Sequence, residues 1–299
     1  MDLAALANCL ISLSCIVTQS TSGLIIGLLL FMVAAGVSLI FGVLKVVNFA
    51  HGSFYMLGAY FALTAYQVTG SYFLAVIGGG VGVAIFGLLF ERLLMSRVYG
   101  SAVLMQLLVC YGVILILDDV VKIVWGAEFR SFGMPDAFQT LPILFAGGVI
   151  PVFYLFLIVV TLAIAAALGL LITRTQYGKI VRAVAVNPSM VSALGINTGI
   201  VYASVFVLGG LLAGLAGGLA APVRSLTSGM GTSVIVESFI VTVIGGMGSV
   251  AGALVGSLLI GLVRSFGTIG FPLFTEGLMF LMMVVVLVLK PSGLFGKEA

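Results

Sequence analysis

Charge is what this 299-residue chain has least of: Asp, Glu, Lys and Arg together make up 7% of it, while 62% is hydrophobic. Soluble domains carry about 25% charged residues, so a single aqueous domain of this size is excluded and the chain reads as an integral membrane protein. Histidine occurs once, and no paired acids share a plausible cleft. A Gly-x-Ser-x-Gly elbow and a Gly-x-x-x-x-Gly-Lys-[Ser/Thr] phosphate loop are both missing, so no catalytic constellation is present and any use of ATP must lie on another chain. Metal binding has no ligand set, and the scattered Lys and Arg form no dense basic patch for nucleic acid. The three cysteines, Cys9, Cys15 and Cys110, lie in apolar segments without metal-ligand spacing and read as small buried hydrophobes, neither bridged nor ligating. Met1-Asp2-Leu3 lacks the basic residues that precede a cleaved signal peptide, which predicts that the first apolar segment is retained.

Glycine, by contrast, is abundant, with 40 residues set inside apolar runs as in closely packed transmembrane helices. Stretches long enough to approach the roughly 20 apolar residues of a span are 3–19, which is short, 22–44, 52–69, 73–92, 102–118, 143–172, 200–221 and 275–290. Residues 234–266 differ, being interrupted at Gly245-Gly246-Met247-Gly248-Ser249. Such a break suits a discontinuous or re-entrant helix pair, because irregular backbone survives at membrane depth only inside protein or beside water. The expected fold is therefore an all-α polytopic membrane protein of about eight transmembrane helices plus one broken pair, forming a single transmembrane domain over 1–299.

If these spans alternate, Lys45, Arg92, Arg97, Arg174, Lys179, Arg182, Lys290 and Lys297 share one side, which the positive-inside rule makes cytoplasmic. The opposite side receives Asp118, Asp119, Glu128 and Asp136 in a loop over 119–141, with Trp125, Phe129 and Phe132 as interfacial anchors. The C-terminus is expected in the cytoplasm, as is the N-terminus if 3–19 spans. Span 22–44 followed by Val46 to Ser53, and the oppositely directed span 200–221 followed by Val243 to Ser249, suggest an inverted repeat with halves 1–141 and 142–299.

Two stretches could carry function. Asn48, His51, Ser53 and Tyr55 cluster at a helix start, where they either face a solute pathway or cap the helix, with His51 satisfying a carbonyl. Glu237 stands alone in an apolar run and must face protein, water or the headgroups. With Gly245, Gly246 and Gly248 these residues make up the candidate substrate pathway. Gly248, Gly252 and Gly256, like Gly210, Gly214 and Gly218, recur every four residues, which suits close helix packing or pore lining. The second stretch, 173–197, interrupts the apolar pattern on the cytoplasmic side with only basic charges. It predicts a short helix with Gly178 before it, Gly195 as its stop, and an apolar face of Val184, Val186, Met190, Val191 and Leu194 that calls for a protein partner.

Val47-Asn48-Phe49-Ala50-His51-Gly52-Ser53-Phe54-Tyr55-Met56-Leu57-Gly58-Ala59-Tyr60 resembles the Asn-Phe-Ala-His-Gly signature of the branched-chain amino acid ABC transporter permeases, H-type subunit. Glu91-Arg92-Leu93-Leu94, Arg182-Ala183-Val184-Ala185, Asn187-Pro188, Leu194-Gly195-Ile196-Asn197, the Gly245 to Ser249 break, Gly252-Ala253 and Pro291 to Gly296 match in family order over nearly the whole chain. The resemblance implies a permease of a bacterial inner-membrane importer, assembled with a second, M-type permease, two ATP-binding subunits and a periplasmic solute-binding protein. It implies that 173–197 engages the ATPase through Gly178, Lys179, Arg182, Ala183, Asn187, Pro188, Val191, Leu194 and Gly195, and that ATP-Mg binds the partners, leaving no cofactor on this chain. Ser53 and Ser189 depart from the acidic residues common at those positions. Relatives of such permeases handle branched-chain amino acids, urea, amides or aromatic acids. The rival reading is an ATP-independent channel or ion-coupled carrier, while a scaffold without transport leaves the broken helices unexplained.

Overall fold

The polar run Thr18 to Ser22, which reads as a break between two spans, stays helical in the computed structural model, which describes residues 3–139 and 141–296. Thr18 donates to the Ser14 carbonyl at 2.9 Å and Thr21 to that of Val17 at 2.8 Å, so their hydroxyls are satisfied within the helix. Ser265 donates to the Gln19 carbonyl at 2.8 Å. The expected separate spans 3–19 and 22–44 are consequently replaced by a short α1, Leu3–Ile11, and one 32-residue α2, Leu13–Leu44. At nine residues, or roughly 14 Å, α1 is too short to cross. Leu6 instead packs against Gly270 at the end of the helix Val250–Gly270.

The junction also overturns the reading of two cysteines. Backbone at Ser12 is extended, at φ −89° and ψ 114°, and Cys9 and Cys15 form a disulfide with Cα atoms 5.2 Å apart. In an unbroken helix six residues would separate them by roughly 9 Å, beyond the ~7 Å limit of a bridge. Cys110 is buried and free, as expected.

The helices that follow are α3 (His51–Thr69), α4 (Tyr72–Leu93), α5 (Val103–Trp125), α6 (Val152–Arg174), α7 (Gln176–Val186), α8 (Pro188–Ala193), α9 (Thr198–Ala220), α10 (Met230–Gly245), α11 (Val250–Gly270) and α12 (Thr275–Leu289). Among the described residues six stretches are long and apolar enough to cross a membrane: Leu13–Leu44, Tyr72–Arg97, Val152–Arg174, Thr198–Ala220, Val250–Gly270 and Pro272–Leu289. The expected number of eight is not reproduced. Merging the first two spans removes one, and the long helices α3 and α5 are interrupted by polar residues. The expected span 143–172 starts as a hairpin, Ile143–Phe145 with Gly148–Ile150, whose turn places Ala146 and Gly147 at positive φ as a tight two-residue turn demands. Of the three expected surface anchors, Phe129 is exposed, Phe132 is buried against Tyr66 and Tyr72, and Trp125 ends α5, donating to Thr64 at 2.8 Å.

Helices α2, α3 and α9 form the centre, with α4 against α3 and α9, α11 against α2, and α10 between α2, α3 and α11. The faces of α5, α6 and α12 carry exposed Leu, Ile, Val and Phe, as lipid-facing helices do. Glycine sets the distances at the centre. A Cβ on Gly79 would lie 2.5 Å from the Gly58 carbonyl and one on Gly214 2.7 Å from the Gly79 carbonyl, so α3, α4 and α9 meet backbone to backbone. Gly252 and Gly256 likewise face Gly245 and the Val241 carbonyl, which assigns these four-residue glycine repeats to packing.

The break within 234–266 is present as expected. Its 16-residue α10 is roughly 24 Å long, short of the ~30 Å hydrocarbon layer, and α11 returns from it after Ser249, which accepts from the Gly252 amide at 3.0 Å. The tail docks on this elbow: Leu294 donates to the Ile244 carbonyl at 2.8 Å and Phe295 to that of Gly245 at 3.0 Å. Two of the carbonyls left open at the end of α10 are thereby satisfied.

Candidate functional site: a charged cavity and a cytoplasmic helix pair

Residues Ser22, Ile25, Ile26, Leu29, Leu30 and Val33 fall at helical spacing on one face of α2, and that face lines a cavity of about 240 Å³. Tyr55 of α3, Val234 and Glu237 of α10, Arg264 of α11, Tyr154 of α6, and Val223 and Arg224 beyond α9 complete it. These positions lie in the half away from the Lys/Arg-rich helix ends, that is, in the outer half by the positive-inside rule.

Its polarity is concentrated at one spot. Glu237 accepts a short, charge-assisted hydrogen bond from Arg264 Nη1, and Arg224 Nη2 stands 3.9 Å from its other oxygen. The Glu237 side chain is only 10% exposed, while Arg224 and Arg264 are 34% and 29% exposed towards the cavity. The Tyr55 hydroxyl faces Arg224. Glu237 thus faces protein and cavity, not the headgroups. Both arginines were missed by sequence reasoning, yet each is a lone cation in an apolar or small-residue run, the same signal that singled out Glu237.

Below the cavity the chain is closed. One turn below Tyr55, on the same α3 face, the buried His51 ring lies against Gly36 and Gly209, with neither nitrogen in hydrogen-bonding geometry to a partner. Gly36 comes eight residues before the end of α2 at Leu44, so α3 begins alongside α2 roughly 12 Å from that end and residues 45–50 run back along it. Phe49 stacks on Phe239 with centroids 4.9 Å apart. Capping by Asn48 or Ser53 is not what the structure contains. Ala50 is the N-cap residue and no side chain caps α3. The buried Asn48 instead accepts from the Cys110 thiol at 3.7 Å and leaves its Nδ2 unpartnered. Ser53 is buried in α3. Of the candidate pathway residues, Tyr55 and Glu237 meet in the cavity, and Asn48, His51 and Ser53 lie beneath or beside its floor. Gly245, Gly246 and Gly248 are in the elbow, against Gly252, the tail glycines and Gly42 respectively, and do not line the cavity.

At the Lys/Arg-rich end, 173–197 folds as two helices where one was expected. Thr175 caps α7 by accepting from the Gly178 amide at 3.1 Å, which puts Gly178 inside the helix. Asn187 caps α8 by accepting from Met190 at 3.0 Å, with Pro188 in its first turn. Gly195, at φ 83°, ends the pair. The expected common apolar face is divided. Val184 and Val191 are buried, while Val186, Met190 and Leu194 are 87%, 64% and 75% exposed. Arg182 donates to the Ile172 carbonyl, Lys179, Ala183, Asn187 and Pro188 are exposed, and Tyr177 bonds Ser204 of α9 at 3.0 Å. Helix α7 also packs on α2, the helix that lines one wall of the cavity.

A high-affinity branched-chain amino acid transport system permease protein, BraD of Pseudomonas aeruginosa, is 28% identical over 93% of this chain and 95% of its own. LivH of Escherichia coli, described in the same words, is 28% identical over the same shares. A probable branched-chain amino acid transport permease protein LivH of Methanocaldococcus jannaschii is 29% identical over 90% of this chain and 89% of its own. Among solved structures, PsaBC from Streptococcus pneumoniae in complex with Fab gives a TM-score of 0.48 at 11% identity, over 90% of this chain and 89% of that one. The model of the family described as branched-chain amino acid transport system / permease component matches residues 19–287, and this multi-pass membrane protein belongs to that family.

Proposed function

We propose that this chain is one of two different permease subunits of an ATP-driven importer in a bacterial inner membrane. Its solute is a branched-chain amino acid or a related small molecule such as urea, an amide or an aromatic acid. The partners are an M-type permease, two ATP-binding subunits that hold ATP-Mg, and a periplasmic solute-binding protein; this chain contributes no cofactor. The inverted-repeat halves 1–141 and 142–299 move against each other around the cavity. The similarity to permeases of branched-chain amino acid transport supports the solute class.

One observation carries the coupling to ATP: Val186, Met190 and Leu194 are exposed on helices that lie outside the apolar spans. A cytoplasmic surface holding three such side chains calls for a protein cover. A partner that grips them differently in two states shifts the permease between those states, and equal grip would shift nothing. The link from α7 to α2 gives that shift a route to the cavity wall. The test is uptake and ATP hydrolysis by the assembled transporter in proteoliposomes. Ala193→Arg, or Gly195→Val at its positive φ, is expected to uncouple hydrolysis from import while the permease stays inserted. Coupled uptake at the wild-type rate in both variants would place the contact elsewhere. Uptake by this chain without any ATPase would favour the channel or carrier reading.

A further inference from the structure

We propose that the cavity is a solute site within the permease itself, in which Arg224 seats the carboxylate of an amphipathic solute whose aliphatic part lies against α2. The proposal rests on the transport reading above and goes on to assign which residues read the solute and which chemical group they read.

The charges do not balance without an occupant. Glu237 contributes one negative charge, and Arg264 is committed to it through a direct hydrogen bond. Among the described residues, the only carboxylate contact of Arg224 is the 3.9 Å approach to the same Glu237. Its other polar neighbour, the Tyr55 hydroxyl, is a neutral phenol. The Arg224 side chain is a third exposed, and it lines the cavity. An uncompensated cation in a largely dehydrated site is unfavourable, and a purely structural ion pair would be complete with Arg264 alone. A guanidinium fork offers two parallel donors, which match a carboxylate.

The remaining walls define the rest of the molecule. Five aliphatic residues of α2, Ile25 to Val33, face Arg224 across the cavity together with Val234. They accept a short apolar body and leave sugar hydroxyls unpaired. The volume of about 240 Å³ is below the roughly 300–1,000 Å³ of sites for drug-sized ligands, so the occupant has the size of a single amino acid. An α-ammonium group, if present, finds acceptors in Glu237, Tyr55 and Ser22. Two arginines repel a solute that carries only positive charge, and a neutral amide gains no charge-assisted bond.

The experiment compares three probes of similar aliphatic body on the assembled transporter: L-leucine, 4-methylpentanoate, which lacks the ammonium, and L-leucinamide, which lacks the carboxylate. Binding is measured by calorimetry without nucleotide, and ATP-dependent uptake in proteoliposomes. The wild type is expected to bind both carboxylates and to reject the amide by roughly 10–100-fold, the range for hydrogen bonds to a charged group. Arg224→Gln is expected to abolish that discrimination. Arg224→Lys, which keeps the charge without the fork, is expected to retain part of it. The proposal is overturned if the wild type does not distinguish the amide from the carboxylates, or if Arg224→Gln binds leucine as the wild type does. Should Arg224→Gln not assemble, equal treatment of carboxylates and amide by Arg224→Lys overturns it as well. Carboxylate-dependent binding without ATP-dependent uptake sinks the importer reading and leaves this site standing; the reverse sinks the site alone.

Discussion

Replacing Glu237 by glutamine keeps the shape of the side chain and removes the negative charge between Arg224 and Arg264. Breaking a buried ion pair by deleting one partner costs about 3–5 kcal/mol, because the other charge stays behind. Here the arginines are 34% and 29% exposed, so residual hydration reduces the expected loss to about 1–3 kcal/mol. At about 2–4 °C per kcal/mol, the figure for domains of about 150–250 residues, Glu237→Gln should melt roughly 2–12 °C below the wild type in detergent. Arg264→Gln alone should also destabilise, since Glu237 then relies on the 3.9 Å contact with Arg224. The double variant should recover part of the loss, with a coupling energy of about 1–3 kcal/mol. Thermal unfolding followed by tryptophan fluorescence reads all three, the single Trp125 being packed against Tyr60. A melting point for Glu237→Gln within about 1 °C of wild type, or strictly additive losses, would refute the ion pair as a structural element.

Two further outcomes follow from the packing and the cysteines. Gly217→Val places a side chain against the Tyr55 carbonyl, so it should cost at least the 1–3 kcal/mol of an overpacked core and reduce the folded yield in membranes, read by fluorescence-detected size exclusion. In denatured protein a maleimide should label Cys110 alone before reduction and all three cysteines afterwards, as a mass measurement would record; three labels without reduction would remove the Cys9–Cys15 bridge.

What the chain disclosed in advance depended on how far apart the interacting groups are. The elbow at Gly245 to Ser249 and the helix stop at Gly195 follow from local chemistry, and both are present. Charge, caps and glycine breaks act within a few residues. The merging of two spans into α2 was hidden because Thr18 and Thr21 look like loop residues until their hydroxyls bond back to Ser14 and Val17. The disulfide was hidden because its half-turn geometry exists only where Ser12 breaks the helix. The cavity was half legible: Tyr55 and Glu237 stand out singly, but Arg264 lies 27 residues after Glu237 and meets it only when α11 folds back on α10. Asn48 and Ser53 resembled caps because they sit at a helix start, and nothing local reveals that this start packs beside Gly36, roughly 12 Å from the end of α2.

The docking of Leu294 and Phe295 onto Ile244 and Gly245 has a consequence for the order in which the protein is made. Residues 291–296 leave the ribosome after every helix they tie together. Until then the end of α10 holds open carbonyls, and the α10–α11 elbow rests on Gly42 and on its own glycine contacts. The elbow thus closes only after α12 has been made, and a nascent chain cut short after α12 would present the membrane quality-control machinery with an unlatched pair of helices.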